Sequence, residues 1–120
     1  MKNKILNRKI VLGTAQFGDK YGITNTNRSP NFNEISKILD VSKNKNICFI
    51  DTAANYKKVE KKLGKYDVKS FKIITKIPKI LPCKGDIKQK ILKIVNKSIR
   101  DLRKKSLYAI LLHDTYDLKG

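Results

Sequence analysis

Tryptophan is absent from the 120 residues, histidine and methionine occur once each, cysteine twice and proline three times. Two cysteines cannot supply a disulfide framework in place of a core. Neither Cys48 nor Cys83 has a second cysteine or a histidine at metal-ligand spacing, which argues against zinc. In a reducing compartment both are expected as free thiols. No apolar run approaches the ~20 residues that a membrane-spanning helix needs, so no membrane partner is expected. The start, Met1-Lys2-Asn3-Lys4-Ile5-Leu6-Asn7-Arg8-Lys9, is charged, and the run Ile10-Val11-Leu12 behind it is too short for a signal peptide. The expected location is cytoplasmic. Acidic residues are scarce, 10 against 28 Lys and Arg, for a net charge of +18. Arginine is scarce too, occurring at positions 8, 28, 100 and 103. Base readout and bidentate phosphate contacts favour arginine over lysine. Lys, Asn and Ile are abundant together, as an AT-rich coding sequence would give. The charge therefore reads as compositional habit plus solvated helix faces, with no specific nucleic-acid partner. A basic polyanion-binding module stays the alternative.

What is present suits one domain spanning residues 1–120 with a single core, since apolar residues make up an ordinary 40%. Four short apolar runs rich in β-branched residues stand out: Ile10-Val11-Leu12, Ile47-Cys48-Phe49-Ile50, Phe71-Lys72-Ile73-Ile74 and Leu107-Tyr108-Ala109-Ile110-Leu111-Leu112. The second and fourth barely alternate, the pattern of strands buried on both faces of a parallel sheet. Between the runs lie helical patterns. Ile35, Ile38 and Leu39 share one face, with Asn33 placed to cap it. Lys57 to Lys62 is a weaker helix stopped by Gly64. Ile87, Ile91, Ile94, Val95, Ile99 and Leu102 form a stripe from about Asp86 to Arg103, with Lys88, Lys90, Lys93 and Lys97 mostly off it. Asn25 to Pro30 is a polar turn, and Pro78, Pro82 and Gly85 break the chain after the third run. Strand–helix alternation of this kind predicts an α/β fold with right-handed crossovers and a parallel sheet.

In such folds the C-terminal strand ends share one face, where catalytic groups gather. The second strand closes on Asp51, the third on Lys76 and the fourth on His113, while Tyr56 follows Asp51 closely enough to fold back over that face. Reducing a carbonyl needs a hydride at carbon and a proton at oxygen. A tyrosine can give the proton, a lysine ammonium beside it stabilises the phenolate, an aspartate holds the lysine, and a histidine orients the carbonyl. Each residue alone has a plainer reading. Asp51 could cap a turn, Tyr56 could be a packed aromatic, Lys76 is one lysine among many, and a lone His113 after a strand is usually structural. Their joint placement carries the inference.

The run Ile47-Cys48-Phe49-Ile50-Asp51-Thr52-Ala53-Ala54-Asn55-Tyr56, followed by Glu60 and Leu63-Gly64, resembles the signature of the aldo-keto reductases. Leu12-Gly13-Thr14-Ala15-Gln16-Phe17-Gly18 is similar to that family's first strand and loop, and Phe71 to Lys76 to its third strand. Ser98-Ile99-Arg100-Asp101-Leu102 and Leu111-Leu112-His113 resemble its third helix and fourth strand. The resemblance implies an NADP(H)-dependent (β/α)8 TIM barrel that reduces a small carbonyl substrate. Asp51, Tyr56, Lys76 and His113 would be its catalytic tetrad, and Gly13, Thr14 and Asp51 would lie near the nicotinamide end of the cofactor. Lys57 stands in place of the Gly that often follows the tyrosine, Val59 in place of a small residue before Glu60, and Tyr108 where many members carry an Asp. Lys57 and Lys58 also make the pocket entrance basic.

An eight-unit barrel takes about 250 residues, whereas this sequence ends seven residues past His113. The expectation is the N-terminal half of a barrel: four parallel strands alternating with helices, as a truncated frame, a gene fragment or one half of a split enzyme. Much of the cofactor site would then lie elsewhere, and the chain alone should be nearly inactive. A complementary half-barrel chain or self-association would be its expected partner, because half a barrel leaves unpaired strand edges. A non-catalytic remnant is the alternative.

Overall fold

The computed structural model describes residues 10–18 and 28–118. The charged start at 1–9 and the first half of the polar turn, residues 25–27, lie outside the described residues. In chain order the elements are β1 (Val11–Gly13), α1 (Phe32–Asn44), β2 (Phe49–Asp51), α2 (Val59–Leu63), β3 (Lys72–Ile77), α3 (Ile87–Asp101) and β4 (Ala109–Leu112). Short 3-10 turns follow β1 at Ala15–Phe17 and β4 at Thr115–Leu118. The strands form one sheet in the order β1-β2-β3-β4, and every neighbouring pair is parallel. This is the expected alternation, a partial (β/α) barrel.

Register and alternation divide the sheet into two faces. Val11, Phe49 and Lys72 lie abreast, as do Gly13, Asp51 and Ile74 two positions on. Successive side chains point to opposite faces. Ile50, Ile73 and Ile77 therefore turn together toward the helices and are buried, while Phe49, Asp51, Lys72, Ile74 and Lys76 take the other face. The core forms where Ile50 and Ile73 meet Ile35 and Leu39 of α1, Val59 and Leu63 of α2, and Phe71 and Leu102. It is a mostly aliphatic seam with two phenyl rings, Phe17 and Phe71, so its stabilisation is mostly area removed from water.

Polar contacts fix the ends of the helices. Asn31, rather than the expected Asn33, caps α1: its side chain accepts from the Glu34 N–H at 3.0 Å, and the Glu34 carboxylate accepts from the Asn31 N–H at 2.7 Å. A reciprocal capping box needs its acceptor three residues before the acid, which only position 31 satisfies. The Arg28 guanidinium grips both Glu34 oxygens at 2.8 and 2.9 Å and holds that carboxyl down at about 2. Asp86 caps α3 by accepting from the Lys88 N–H at 2.8 Å.

Gly64 ends α2 for a reason other than the expected left-handed cap. Its φ of −63° is ordinary helical backbone. What it needs is room, since a Cβ there would run into the Asp101 carbonyl at the end of α3. Close by, the buried carboxylate of Glu60 accepts from the Thr75 hydroxyl at 2.6 Å and the Ser98 hydroxyl at 2.7 Å. One α2 side chain thereby ties together β3 and α3, and Ser98 is the buried residue of a helix whose apolar stripe is only half covered.

The fourth strand departs from expectation. Its continuous apolar run predicts burial on both faces, yet Ile110, Leu111 and Leu112 are 43%, 46% and 40% exposed. β4 pairs with β3 on one side, and among the described residues no strand pairs with its other edge and no α-helix follows it.

Candidate functional site

Asp51 ends β2 on the face away from the helices, and two residues of β3 beyond its register partner stands Lys76 on the same face. The Lys76 ammonium donates to both Asp51 oxygens, at 2.6 and 2.5 Å, and to the Thr52 carbonyl at 3.1 Å. Its three hydrogens are thus spent, and its position is fixed. The pair is partly buried, the lysine side chain 18% exposed and the aspartate 31%, a setting where a charge-assisted contact is stronger than at an open surface.

The chain after β2 then folds back. Thr52 N–H donates to the Ile74 carbonyl and Ala54 N–H to that of Lys76, extending the ladder past the strand. Tyr56 N–H donates to the Ala53 carbonyl at 3.0 Å, and Val59 N–H to that of Tyr56 at 3.2 Å. Lys58, at φ 56°, takes the left-handed conformation that turns the chain into α2. Ala53 is fully buried at the base of this turn. The result puts the Tyr56 ring 5.6 Å from the Lys76 ammonium. His113, anchored through its N–H to the Ile77 carbonyl at 2.9 Å, brings its ring edge-on to Tyr56 with centroids 5.9 Å apart and an interplanar angle of 87°. All four residues marked in the sequence therefore meet at one edge of the sheet.

The first strand supplies the flank of this edge. Gly13 is abreast of Asp51, and no described residue lies within 4 Å of where a Cβ would stand, so among the described residues space opens beside the carboxylate. Thr14 is fully buried. Its N–H and hydroxyl both donate to the Asp51 carbonyl, at 3.1 and 2.9 Å, so its side chain braces Asp51 from behind rather than facing that open space.

Sequence reasoning missed one further contact at this edge. The Asp117 carboxylate accepts from the Ile80 and Leu81 N–H groups, both at 2.9 Å, fastening the segment after β3 to the turn after β4. Those two backbone donors, Leu81 foremost, hold its carboxyl below the usual carboxylate range. The Lys79 ammonium lies 3.8 Å from the Tyr116 ring centroid and closes the same junction. No periodicity marks Asp117, since its partners are backbone groups in a loop.

A phenol, an ammonium held by a carboxylate, and an imidazole, each within about 6 Å of its neighbour, are groups that can exchange protons beside a positioned positive charge. Compared with known proteins, residues 9–117 match the model of the aldo/keto reductase family. The chain belongs to the aldo/keto reductase family. Two solved structures of Pseudomonas aeruginosa proteins assigned as aldo-keto reductases share its fold. One superposes with a TM-score of 0.71 over 87% of this chain and 42% of its own, and the other with 0.67 over 87% and 40%. Each is 24% identical to this sequence. The chain thus spans about two fifths of the length of these aldo/keto reductases. Among curated proteins no sequence matches. No helix among the described residues is long and apolar enough to cross a membrane.

Proposed function

We propose that this chain carries the catalytic edge of an NADP(H)-dependent aldo/keto reductase that reduces an aldehyde or ketone to an alcohol. The observation that carries the reading is the nearness of the Tyr56 ring to both the Lys76 ammonium (5.6 Å) and the His113 imidazole (5.9 Å), with Asp51 holding the lysine. NADPH would supply the hydride. Tyr56 is the proton donor to the carbonyl oxygen, and the Lys76 ammonium stabilises the phenolate left behind. Asp51 orients Lys76, and His113 donates a hydrogen bond to the carbonyl oxygen, placing the substrate and easing the charge that builds there. The open space beside Gly13 and Asp51 suits a flat nicotinamide ring, and Thr14 keeps Asp51 at its margin. A cytoplasmic location belongs to the same reading.

The exposed β4 flank supports a second element of the reading: the sheet is completed by four further βα units, in the same polypeptide, in a complementary half-barrel chain or in a second copy. Without them the chain is a non-catalytic barrel fragment. The high lysine content supports no more than weak, salt-sensitive attraction to polyanions.

The test is NADPH oxidation with a panel of small aldehydes, by the chain alone and by the chain fused to the remaining βα units of a solved relative. The fusion should turn over and the chain alone should do so poorly. Tyr56→Phe should remove most turnover, by about a hundredfold or more, while NADPH still quenches protein fluorescence with similar affinity. Full activity in Tyr56→Phe would refute the assignment, and inactivity of every version would favour the non-catalytic fragment.

A further inference from the structure

A polar cavity lies at the end of the strands opposite Asp51, Lys76 and His113, where the chain enters β3 and β4. Its volume is about 390 Å³, and its polar lining comprises Lys69, Ser70, Lys72, Lys104, Ser106 and Tyr108, with no carboxylate among its lining residues. We propose that it is a binding site for the phosphate group of a small phosphomonoester.

The cations there are positioned but not neutralised. Lys104 donates to the Val68, Lys69 and Phe71 carbonyls at 3.2, 2.9 and 3.0 Å, so its ammonium is pinned to the segment entering β3 and, among the described residues, balanced by peptide dipoles alone. Lys72 holds its ammonium 5.1 Å from the Tyr108 ring centroid and 5.5 Å from that of Phe49, which themselves meet edge-on at 5.1 Å. Ring faces attract the cation without cancelling its charge. The neighbouring acids are engaged elsewhere. Asp67 accepts from the Lys43 ammonium at 3.1 Å and the Lys69 N–H at 3.3 Å, and Asp101 pairs with Lys97 at 2.5 Å.

Donors remain as well as charge. Lys104 has spent its three hydrogens, but the Ser70, Ser106 and Tyr108 hydroxyls and the Lys69 ammonium make no side-chain hydrogen bond among the described residues. Several short donors around a cationic floor match the three acceptor oxygens of a phosphate better than the two of a carboxylate, and lysine serves phosphate as a point charge. The volume is at the lower end of the ~300–1,000 Å³ typical of small-ligand sites, so it has room for more than a bare ion. The cavity adjoins the N-terminal ends of β3 and β4, whereas the tetrad gathers at the C-terminal ends. The inference therefore stands or falls independently of the reductase reading.

Isothermal titration of the chain with glycerol 3-phosphate and with inorganic phosphate, against sodium chloride at matched ionic strength, tests it. Glycerol 3-phosphate should bind with a dissociation constant below about 1 mM. Ser106→Ala and Lys69→Gln, both at exposed positions, should each weaken it several-fold and Lys72→Met about tenfold, whereas Lys93→Gln on the outer face of α3 should change nothing. Equal binding of inorganic phosphate would keep the site and make free phosphate its ligand. Absence of phosphate binding would overturn the proposal. So would an equal loss in Lys93→Gln, which would mean diffuse attraction to a basic surface. Should Lys72→Met fail to fold, the two exposed variants still decide it.

Discussion

Ile50 and Ile110 sit in short parallel strands of one sheet, each within an almost unbroken apolar run, yet Ile50 is wholly buried and Ile110 is 43% exposed. The difference lies in the neighbours. β2 has a strand on each side and α1 and α2 beneath it, so its isoleucine meets Ile35, Val59 and Leu63. β4 has β3 on one side and nothing described on the other. An apolar strand records what the mature fold wants to bury, whereas burial depends on which elements have arrived to cover it. The catalytic candidates follow the same division: Asp51 and Lys76 are fixed by the well-covered centre of the sheet, while His113 projects from its uncovered edge.

The largest expected effect comes from testing that contrast directly. Ile50→Ala should cost about 2–5 kcal/mol in denaturant titration, through lost transfer energy and a cavity, while Ile110→Ala should stay within about 0.5 kcal/mol. Equal losses would mean that β4 is covered in solution, by a partner or a second copy, and sedimentation would then show the larger species.

A slightly smaller loss should follow at the junction of α2 and α3, which braces the centre from behind. Gly64→Ala forces a methyl against the Asp101 carbonyl and should cost about 1–3 kcal/mol. Glu60→Ala leaves the Thr75 and Ser98 hydroxyls buried without their acceptor, at a similar cost of about 1–3 kcal/mol. A neutral result at both positions would show that the helices are held by the apolar seam alone.

These particular residues also mark how far the fold and site could be read in advance. The parallel alternation and the four-residue constellation were legible because they rest on periodicity and on what ends each strand. Asn31 displaced Asn33 as the cap because a reciprocal hydrogen bond with Glu34 outweighs proximity to the first apolar residue. Gly64 was legible as a stop but not as a contact, because its reason lies in α3, 37 positions away in sequence at Asp101. Thr14 reads as a cofactor contact in a motif, whereas three-dimensional packing commits its hydroxyl to Asp51. Asp117 left no pattern, because it binds backbone.

The smallest expected effect concerns that last contact. The Asp117 carboxyl is held below its ordinary range, so its folded-state proton affinity is lower than in the unfolded chain. Its contribution is then fully present above the unfolded carboxylate value and is lost as pH falls through the folded value. The Ile80 and Leu81 amide resonances should shift together on acidification, with a midpoint below the usual carboxylate range, and Asp117→Asn should abolish that titration. A midpoint at the ordinary carboxylate value would show that the clamp between the two loops is not formed.

The central claim is that Asp51, Tyr56, Lys76 and His113 act as one site, and a double-mutant cycle in the fused, active protein tests it most directly. Turnover numbers for wild type, Tyr56→Phe, Lys76→Met and the double variant should show strong non-additivity. The double variant should lose about as much as the worse single one, because the ammonium acts through the phenol. Losses that multiply would mean that the two residues work independently, and the proposed proton-donating unit would be contradicted.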